Sequence, residues 1–248
     1  MRSLGRVVYD FCRRHVDRVN GDNNSDMRTN GESRLLLGVL PRCRVVFDVG
    51  ANVGDWTAIA LGINRELEVH CFEPSPATFS RLSTRPFPGK VVLNNIGLGS
   101  ARGAGELLVF GDGSGMNSLY RREGLEAGWG VKPQERREKV TLDTIDGYCR
   151  DRSVERVDYL KVDVEGHELE VFKGARAMLE TGRIGQVQFE YGGTYIDSRI
   201  LLKDVFEFFQ GLPYSLCKVH PRSLVGVGRY DSRLENFQYQ NWVAVRKG

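Results

Sequence analysis

The stretch that most constrains this chain runs Val45-Val46-Phe47-Asp48-Val49-Gly50-Ala51-Asn52-Val53-Gly54-Asp55-Trp56. It reads as a buried-type strand that passes straight into a small-residue turn and then a helix, the opening of a βα unit. A ligand has to approach the backbone at such a turn. Gly50 and Gly54 permit the tight geometry, and Asn52 is among the few non-glycine residues that tolerate a left-handed conformation. The dinucleotide fingerprint G-x-G-x-x-G would want glycine where this chain has Asn52, and Asp55 would repel a pyrophosphate, so a nicotinamide cofactor is disfavoured.

From Arg44 onward, short β-branched runs alternate with helical patterns, as expected for helices laid on a parallel sheet. The pattern predicts strands at Arg44–Val49, Glu68–Phe72, Val91–Asn94, Val157–Val162 and Gln186–Glu190. Helices are predicted from the Gly54 turn through Leu61, over Ser75–Leu82, near Asp143–Arg150, over Glu168–Glu180 and over Leu201–Gln210. Ser215–Val219 and Phe237–Val245 are expected to finish the sheet as a hairpin-like pair. Between them the rhythm breaks over 99–141, where Glu106–Phe110 and Glu138–Leu142 read as strands around an irregular, glycine-rich Gly111–Gly130. The 248 residues, 41% hydrophobic, suffice for one buried core and are short for two. The expectation is one Rossmann-like α/β domain over 44–248, mostly parallel with helices on both faces and a terminal antiparallel pair. It carries a Gly-rich insertion at about 100–140, and residues 1–43 form a helical extension and polar loop.

In that extension, apolar Leu4, Val7, Val8, Phe11, Cys12, Val16 and Val19 oppose Arg6, Arg13, Arg14 and Arg18. The helix is expected to pack its apolar stripe on its own domain, the common arrangement, rather than on an anionic membrane surface. The chain has no apolar run near the ~20 residues of a membrane span and no signal-peptide stretch. Its five cysteines, Cys12, Cys43, Cys71, Cys149 and Cys217, are scattered and without zinc spacing. Together these predict a cytoplasmic protein with reduced thiols. A net charge of +3 gives no strong nucleic-acid footprint.

The strand ends then specify a ligand. Asp48 suits the ammonium of the amino-acid end of S-adenosylmethionine, directly or through water. Glu73, at the end of the second strand in Cys71-Phe72-Glu73-Pro74, can take two ribose hydroxyls in bidentate fashion. After the third strand, Asn94-Asn95-Ile96-Gly97-Leu98 falls where an adenine edge would sit. The candidate cofactor-binding set is therefore Asp48, Gly50, Ala51, Asn52, Gly54, Trp56, Glu73, Pro74, Ser75, Asn95 and Gly97.

VFDVGANVGDW, HCFEPS and YLKVDVEGHELEVFKGA, in this order and spacing, resemble the FkbM family of methyltransferases over about Asn20 to Trp242. Asn30-Gly31-Glu32, Asn117-Ser118-Leu119, Glu190-Tyr191-Gly192-Gly193 and Leu234-Glu235-Asn236-Phe237 fit the same pattern. The resemblance implies a class I methyltransferase fold and O-methylation of a hydroxyl on a sugar, glycan or natural product.

Methyl transfer to an alcohol needs an aligned nucleophile and a proton acceptor. Asp163, Glu165 and His167 after the fourth strand are the catalytic candidates, His167 titrating nearest neutrality and Asp163 lying nearest the strand tip. Helix capping is the competing account of Glu165, His167 and Glu168. Asn117, Ser118, Glu190 and Tyr191 are the substrate candidates. Converging carboxylates could hold a divalent metal, but none is predicted. Arg121, Arg122, Arg136 and Arg137 could meet a phosphate or acidic sugar, Trp129, Tyr191, Tyr195 and Tyr239 could stack on a sugar face, and His220 reads as structural. The alternatives are a nucleic-acid methyltransferase, for which no Asn/Asp-Pro-Pro-Tyr/Phe tetrapeptide occurs, and a non-catalytic adenosine-binding scaffold.

Overall fold

The computed structural model describes residues 4–111, 114–122 and 136–247. Its strands are β1 (Val45–Val49), β2 (Glu68–Phe72), β3 (Lys90–Asn94), β4 (Gly97–Leu98), β5 (Gly103–Val109), β6 (Arg136–Asp143), β7 (Val157–Val162), β8 (Ile184–Tyr191), β9 (Tyr214–Val219), β10 (Leu224–Gly226) and β11 (Gln240–Arg246). The helices are α1 (Leu4–Asn20), α2 (Glu32–Val39), α3 (Asp55–Ile63), α4 (Pro76–Ser83), α5 (Ile145–Asp151), α6 (Glu168–Lys173), α7 (Arg176–Glu180), α8 (Thr194–Ser198) and α9 (Leu202–Phe209). Of the glycine-rich Gly111–Gly130 stretch, residues 112–113 and 123–130, Trp129 among them, lie outside the described residues.

The main sheet has the order β10-β9-β11-β8-β7-β1-β2-β3, and β4-β6-β5 form a smaller one. From β3 to β8 every pairing is parallel, and β11 enters antiparallel between β8 and β9. Buried parallel strands need cover on both faces, and helices supply it. Leu36, Leu40, Trp56 and Leu61 pack on Val46, Val69 and Tyr159 on one side. On the other, Tyr148, Phe172, Leu179 and Phe209 pack on Phe47, Leu160, Phe189 and Trp242. The strand order reverses between β1 and β7, so the crevice for a ligand opens at their carboxyl ends.

Several elements differ from the sequence expectation. The helix expected over Glu168–Glu180 is two helices, because the chain turns at Gly174, where a Cβ would run into the Gly99 carbonyl oxygen. The expected terminal pair does form, Trp242 opposite Lys218, but with β11 inserted beside β8; the hairpin partner of β9 is the short, exposed β10. The N-terminal helix departs furthest. α1 buries none of its residues, so its apolar stripe does not pack on the domain. No helix among the described residues is long and apolar enough to cross a membrane.

Candidate active site

A cavity of ≈ 380 Å³ opens at the carboxyl ends of β1, β2, β7 and β8. Its first wall is the turn after β1. Gly50 and Ala51 both donate backbone N–H bonds to the Phe72 carbonyl at 3.0 Å, tying the turn to β2. Gly50, Asn52 and Gly54 have φ of 78°, 49° and 83°, the left-handed region that glycine and asparagine tolerate. A Cβ on Gly50 would also run into the Asp163 carbonyl oxygen. Gly50→Ala is therefore expected to destabilise the protein by about 2–3 kcal/mol, read as a lower chemical-denaturation midpoint; an unchanged midpoint would show that the turn can relax.

Glu73 forms the next wall. Its Oε2 accepts the Asn52 N–H at 3.0 Å and its Oε1 the Ser75 N–H at 2.9 Å, which fixes the carboxylate while leaving lone pairs for a ligand. Burial pushes it up to about 7, against the pull of the Ser75 and Asn52 amides. Ser75 itself faces away, capping α4 through Thr78 N and bonding Glu138 at 2.7 Å. Two polar atoms of cavity-lining residues, Asn52 Oδ1 and Trp56 Nε1, are buried without a hydrogen-bond partner.

Strand register lays a polar row across the cavity floor. Asp48 on β1 stands beside Lys161 on β7, and Lys161 beside Gln188 on β8. Lys161 Nζ lies 3.2 Å from Asp48 Oδ1 and 3.4 Å from both Asp163 Oδ2 and the Gly50 carbonyl oxygen. Burial alone would discharge this lysine, but Asp48, Asp163 and Glu32 outweigh it and hold the ammonium above its ordinary value. Thr57 donates to Asp48 Oδ2 at 2.6 Å. Gln188 donates to Glu32 at 2.7 Å and Asn241 at 3.1 Å, and accepts from Tyr159 at 2.5 Å. Glu32 reaches this row because Gly31, at φ 99°, tucks α2 against His220, where a Cβ would run into the histidine's carbonyl oxygen. Ser25, Met27 and Glu32 thus bring the N-terminal segment into the cavity wall.

The far end gathers carboxylates from β7 and β8. Asp163, Glu165, His167 and Glu190 all line the cavity. Glu165, at φ 56°, pairs with Arg122 at 2.8 Å; burial, then Asp163, push it up to about 8 despite that arginine. Burial and the carboxylates of Asp163, Glu165 and Glu168 push Glu190 well above its ordinary value. His167 has its Nδ1 2.8 Å from the Tyr120 hydroxyl, its Nε2 abuts Gly99, and burial lowers it. Glu168 ties down the turn that precedes α6: its Oε1 accepts Val164 N at 3.0 Å and Gly166 N at 3.4 Å, while the helix start itself has no side-chain cap.

Of the sequence-selected cofactor residues, Gly50, Ala51, Asn52, Trp56, Glu73 and Pro74 line the cavity. Asp48 does not; it is fully buried beneath the floor and holds Lys161. Contrary to the adenine-edge expectation, the Asn95 amide bonds the Glu73 and Pro74 carbonyls at 2.8 and 3.1 Å, and Gly97 packs under Leu142 and Pro74. Gly54 packs against Phe87 and Leu82. Of the substrate candidates, Asn117 lines the cavity, but its Oδ1 is taken by the Phe110 N–H at 3.0 Å. Ser118 is 1% exposed and bonds the Glu165 carbonyl, so it shapes the loop instead of facing a substrate. Tyr191 alternates to the opposite face from Glu190, bonds Glu235 at 3.0 Å and packs on Tyr195, and neither ring lines the cavity. Tyr239 does line the cavity. Arg122, Arg136 and Arg137 are paired with carboxylates. Lys161 and Glu32 were missed; a lysine inside an otherwise buried strand was the available signal.

A family model described as the methyltransferase FkbM domain matches residues 48–236, well over half the chain. The chain belongs to the FkbM methyltransferase family. This family member is 31% identical over 165 residues to the hexuronic acid methyltransferase AglP of Haloferax volcanii, covering 64% of this chain and 61% of that protein. It is 31% identical over 161 residues to the methyltransferase sdnD of Sordaria araneosa, covering 54% and 61%. The chain therefore spans about three fifths of the length of these curated relatives. A solved methyltransferase FkbM from Methylobacillus flagellatus aligns over 82% of this chain and 43% of its own, at 16% identity and a TM-score of 0.49. Apart from the short edge strand β10, the sheet order β9-β11-β8-β7-β1-β2-β3, with only β11 running antiparallel, is the class I methyltransferase arrangement. Among the described residues of this FkbM family chain, no group of three or more His, Cys, Asp or Glu side chains is arranged to hold a metal ion.

Proposed function

We propose that this chain transfers a methyl group from S-adenosylmethionine to a hydroxyl of a sugar, glycan or natural product. The observation that carries the reading is a single cavity with two chemically distinct ends. One end presents Glu73, its oxygens set by the Asn52 and Ser75 amides, to a ribose diol. Asn52 Oδ1 and Trp56 Nε1 offer unused polar atoms beside it. Lys161 and Asp163, which both line the cavity, suit the carboxylate and ammonium of an amino-acid moiety. S-adenosylmethionine supplies an electrophilic methyl on a sulfonium. The chain's own residues orient the hydroxyl and take its proton at the far end, where Asp163 and Glu190 face the cavity. Glu165 and His167, engaged by Arg122 and Tyr120, position that end. The hexuronic acid methyltransferase among the relatives supports a sugar acceptor. The wall of Glu32, Glu73, Asp163, Glu165 and Glu190 supports a small hydroxylated acceptor over a polyphosphate such as nucleic acid.

The test is calorimetry with S-adenosylhomocysteine followed by methyl transfer from labelled S-adenosylmethionine over hydroxylated sugars and natural products. Glu73→Ala should weaken S-adenosylhomocysteine by about 1.5–3 kcal/mol, roughly 10- to 150-fold; unchanged affinity would remove the ribose assignment. A pH series supplies a second check. Hydroxyl donors bind the ionised carboxylate, and Glu73 titrates at about 7, so affinity should rise as pH increases from 6 to 8. Glu73→Gln should flatten that rise, and a wild-type affinity indifferent to pH would count against the assignment.

A further inference from the structure

We propose that α1 is an amphipathic anchor that lays its apolar face on an anionic lipid surface. The helix is mounted on the domain by its polar side. Asp10 and Asp17 are its half-buried residues, while Leu4, Val8, Phe11 and Val19 are 80%, 54%, 71% and 60% exposed. The Asp17 carboxylate accepts the Asn23 side-chain amide at 3.0 Å, its backbone carbonyl accepts the Asp22 N–H at 2.8 Å, and Arg13 reaches Gln238 at 3.4 Å. At about 100° per residue, Asp10, Arg13 and Asp17 share one side of the helix and Leu4, Val8, Phe11 and Val19 the other. A helix that only needed to cover its own core would be turned the opposite way.

The charge distribution selects the occupant. The helix carries Arg6, Arg13, Arg14 and Arg18 against two aspartates. Of those, Asp10 pairs with Arg6 at 3.4 Å and Asp17 is held by Asn23. Arg14 and Arg18 border the apolar face beside Val7, where lipid headgroups would lie. The apolar arc, from Phe11 round to Val16, spans about 140° with His15 as its one ionisable side chain, broader than the narrow seam of a helix pair. Lying flat, 17 residues extend about 25 Å along a surface without crossing it.

Sedimentation of the full chain with vesicles tests this without any methyl-transfer assay. The protein is expected to sediment with phosphatidylcholine–phosphatidylserine vesicles, much less with phosphatidylcholine alone, and less as salt rises. Phe11→Asp should lower the bound fraction roughly tenfold or more, and Arg14→Glu with Arg18→Glu should remove the preference for phosphatidylserine. Unchanged thermal unfolding of these variants would show the fold intact, as expected for exposed side chains. The proposal is overturned if wild type stays in the supernatant, or if Phe11→Asp sediments as wild type does. It is equally overturned if Phe11→Asp converts a dimer to a monomer in sedimentation equilibrium and vesicles capture neither, which would assign the face to a second copy.

Discussion

Glu190→Gln is expected to lower methyl-transfer turnover by roughly 10²–10⁴, the contribution of a positioned general base, with S-adenosylhomocysteine affinity nearly unchanged. Glutamine keeps the shape of the side chain on β8 and removes only its ability to take a proton. Burial, then the Asp163, Glu165 and Glu168 carboxylates, raise Glu190, which brings it towards the range where a carboxylate is basic enough to accept a hydroxyl proton. Since the deprotonated form is the active one, wild-type turnover should climb as pH rises through that titration. Glu190→Gln should lose the climb. Asp163→Asn, with Lys161 3.4 Å from the altered group, should reduce turnover as well but keep the climb, moved to lower pH because the Asp163 charge helps to raise Glu190, as befits a group that orients the acceptor. Should Glu190→Gln keep wild-type turnover and pH profile on an identified acceptor, the base is elsewhere. If Asp163→Asn alone abolished the climb, the two roles would be exchanged.

Lys161→Met is expected to cost about 3–5 kcal/mol, because it leaves the fully buried Asp48 carboxylate with a threonine hydroxyl but no cation. For a chain of this size that corresponds to a fall of roughly 10 °C in the unfolding midpoint. A folded-state value raised above the unfolded one means the lysine's contribution is fully present below its ordinary titration range, hence throughout neutral pH, and is lost only at strongly alkaline pH. Adding Asp48→Asn to Lys161→Met should recover much of the loss, since the orphaned charge disappears with it. Equal midpoints for wild type and Lys161→Met would mean the carboxylate is stabilised by something other than this lysine.

The central strands were legible because strands buried on both faces are nearly continuous apolar runs: β2 and β7 occupy the residues that their hydrophobic pattern predicts. The turn after β1 was legible for a related reason, as few residues besides Gly50, Asn52 and Gly54 could adopt its backbone. What sequence could not supply was the direction of polar side chains at strand ends. Asp48 and Glu73 both end parallel strands, yet one points beneath the floor to Lys161 and the other stands on the cavity wall. Tyr191 follows Glu190 by one residue and so faces the other way, a consequence of the two-residue period that proximity in sequence conceals. Asn95 looked like a ligand contact, but two backbone carbonyls of the β2–α4 turn needed its amide. The orientation of α1 was invisible for a different reason: periodicity identifies two faces without saying which one meets the body.

The position of β11 sets the order in which this molecule can be assembled. It pairs with β8 on one edge and β9 on the other, yet it is synthesised after both. Until Gln240–Arg246 takes its place, β8 and β9 have no strand between them, and each has an edge of unpaired backbone groups. Such open edges are templates for intermolecular pairing. Trp242 and its neighbours close both edges at once, a non-local step of the kind that slows folding. Refolding from denaturant, where all segments are present from the start, should give a higher soluble yield at low protein concentration than at high, with the losses concentrated before β11 docks.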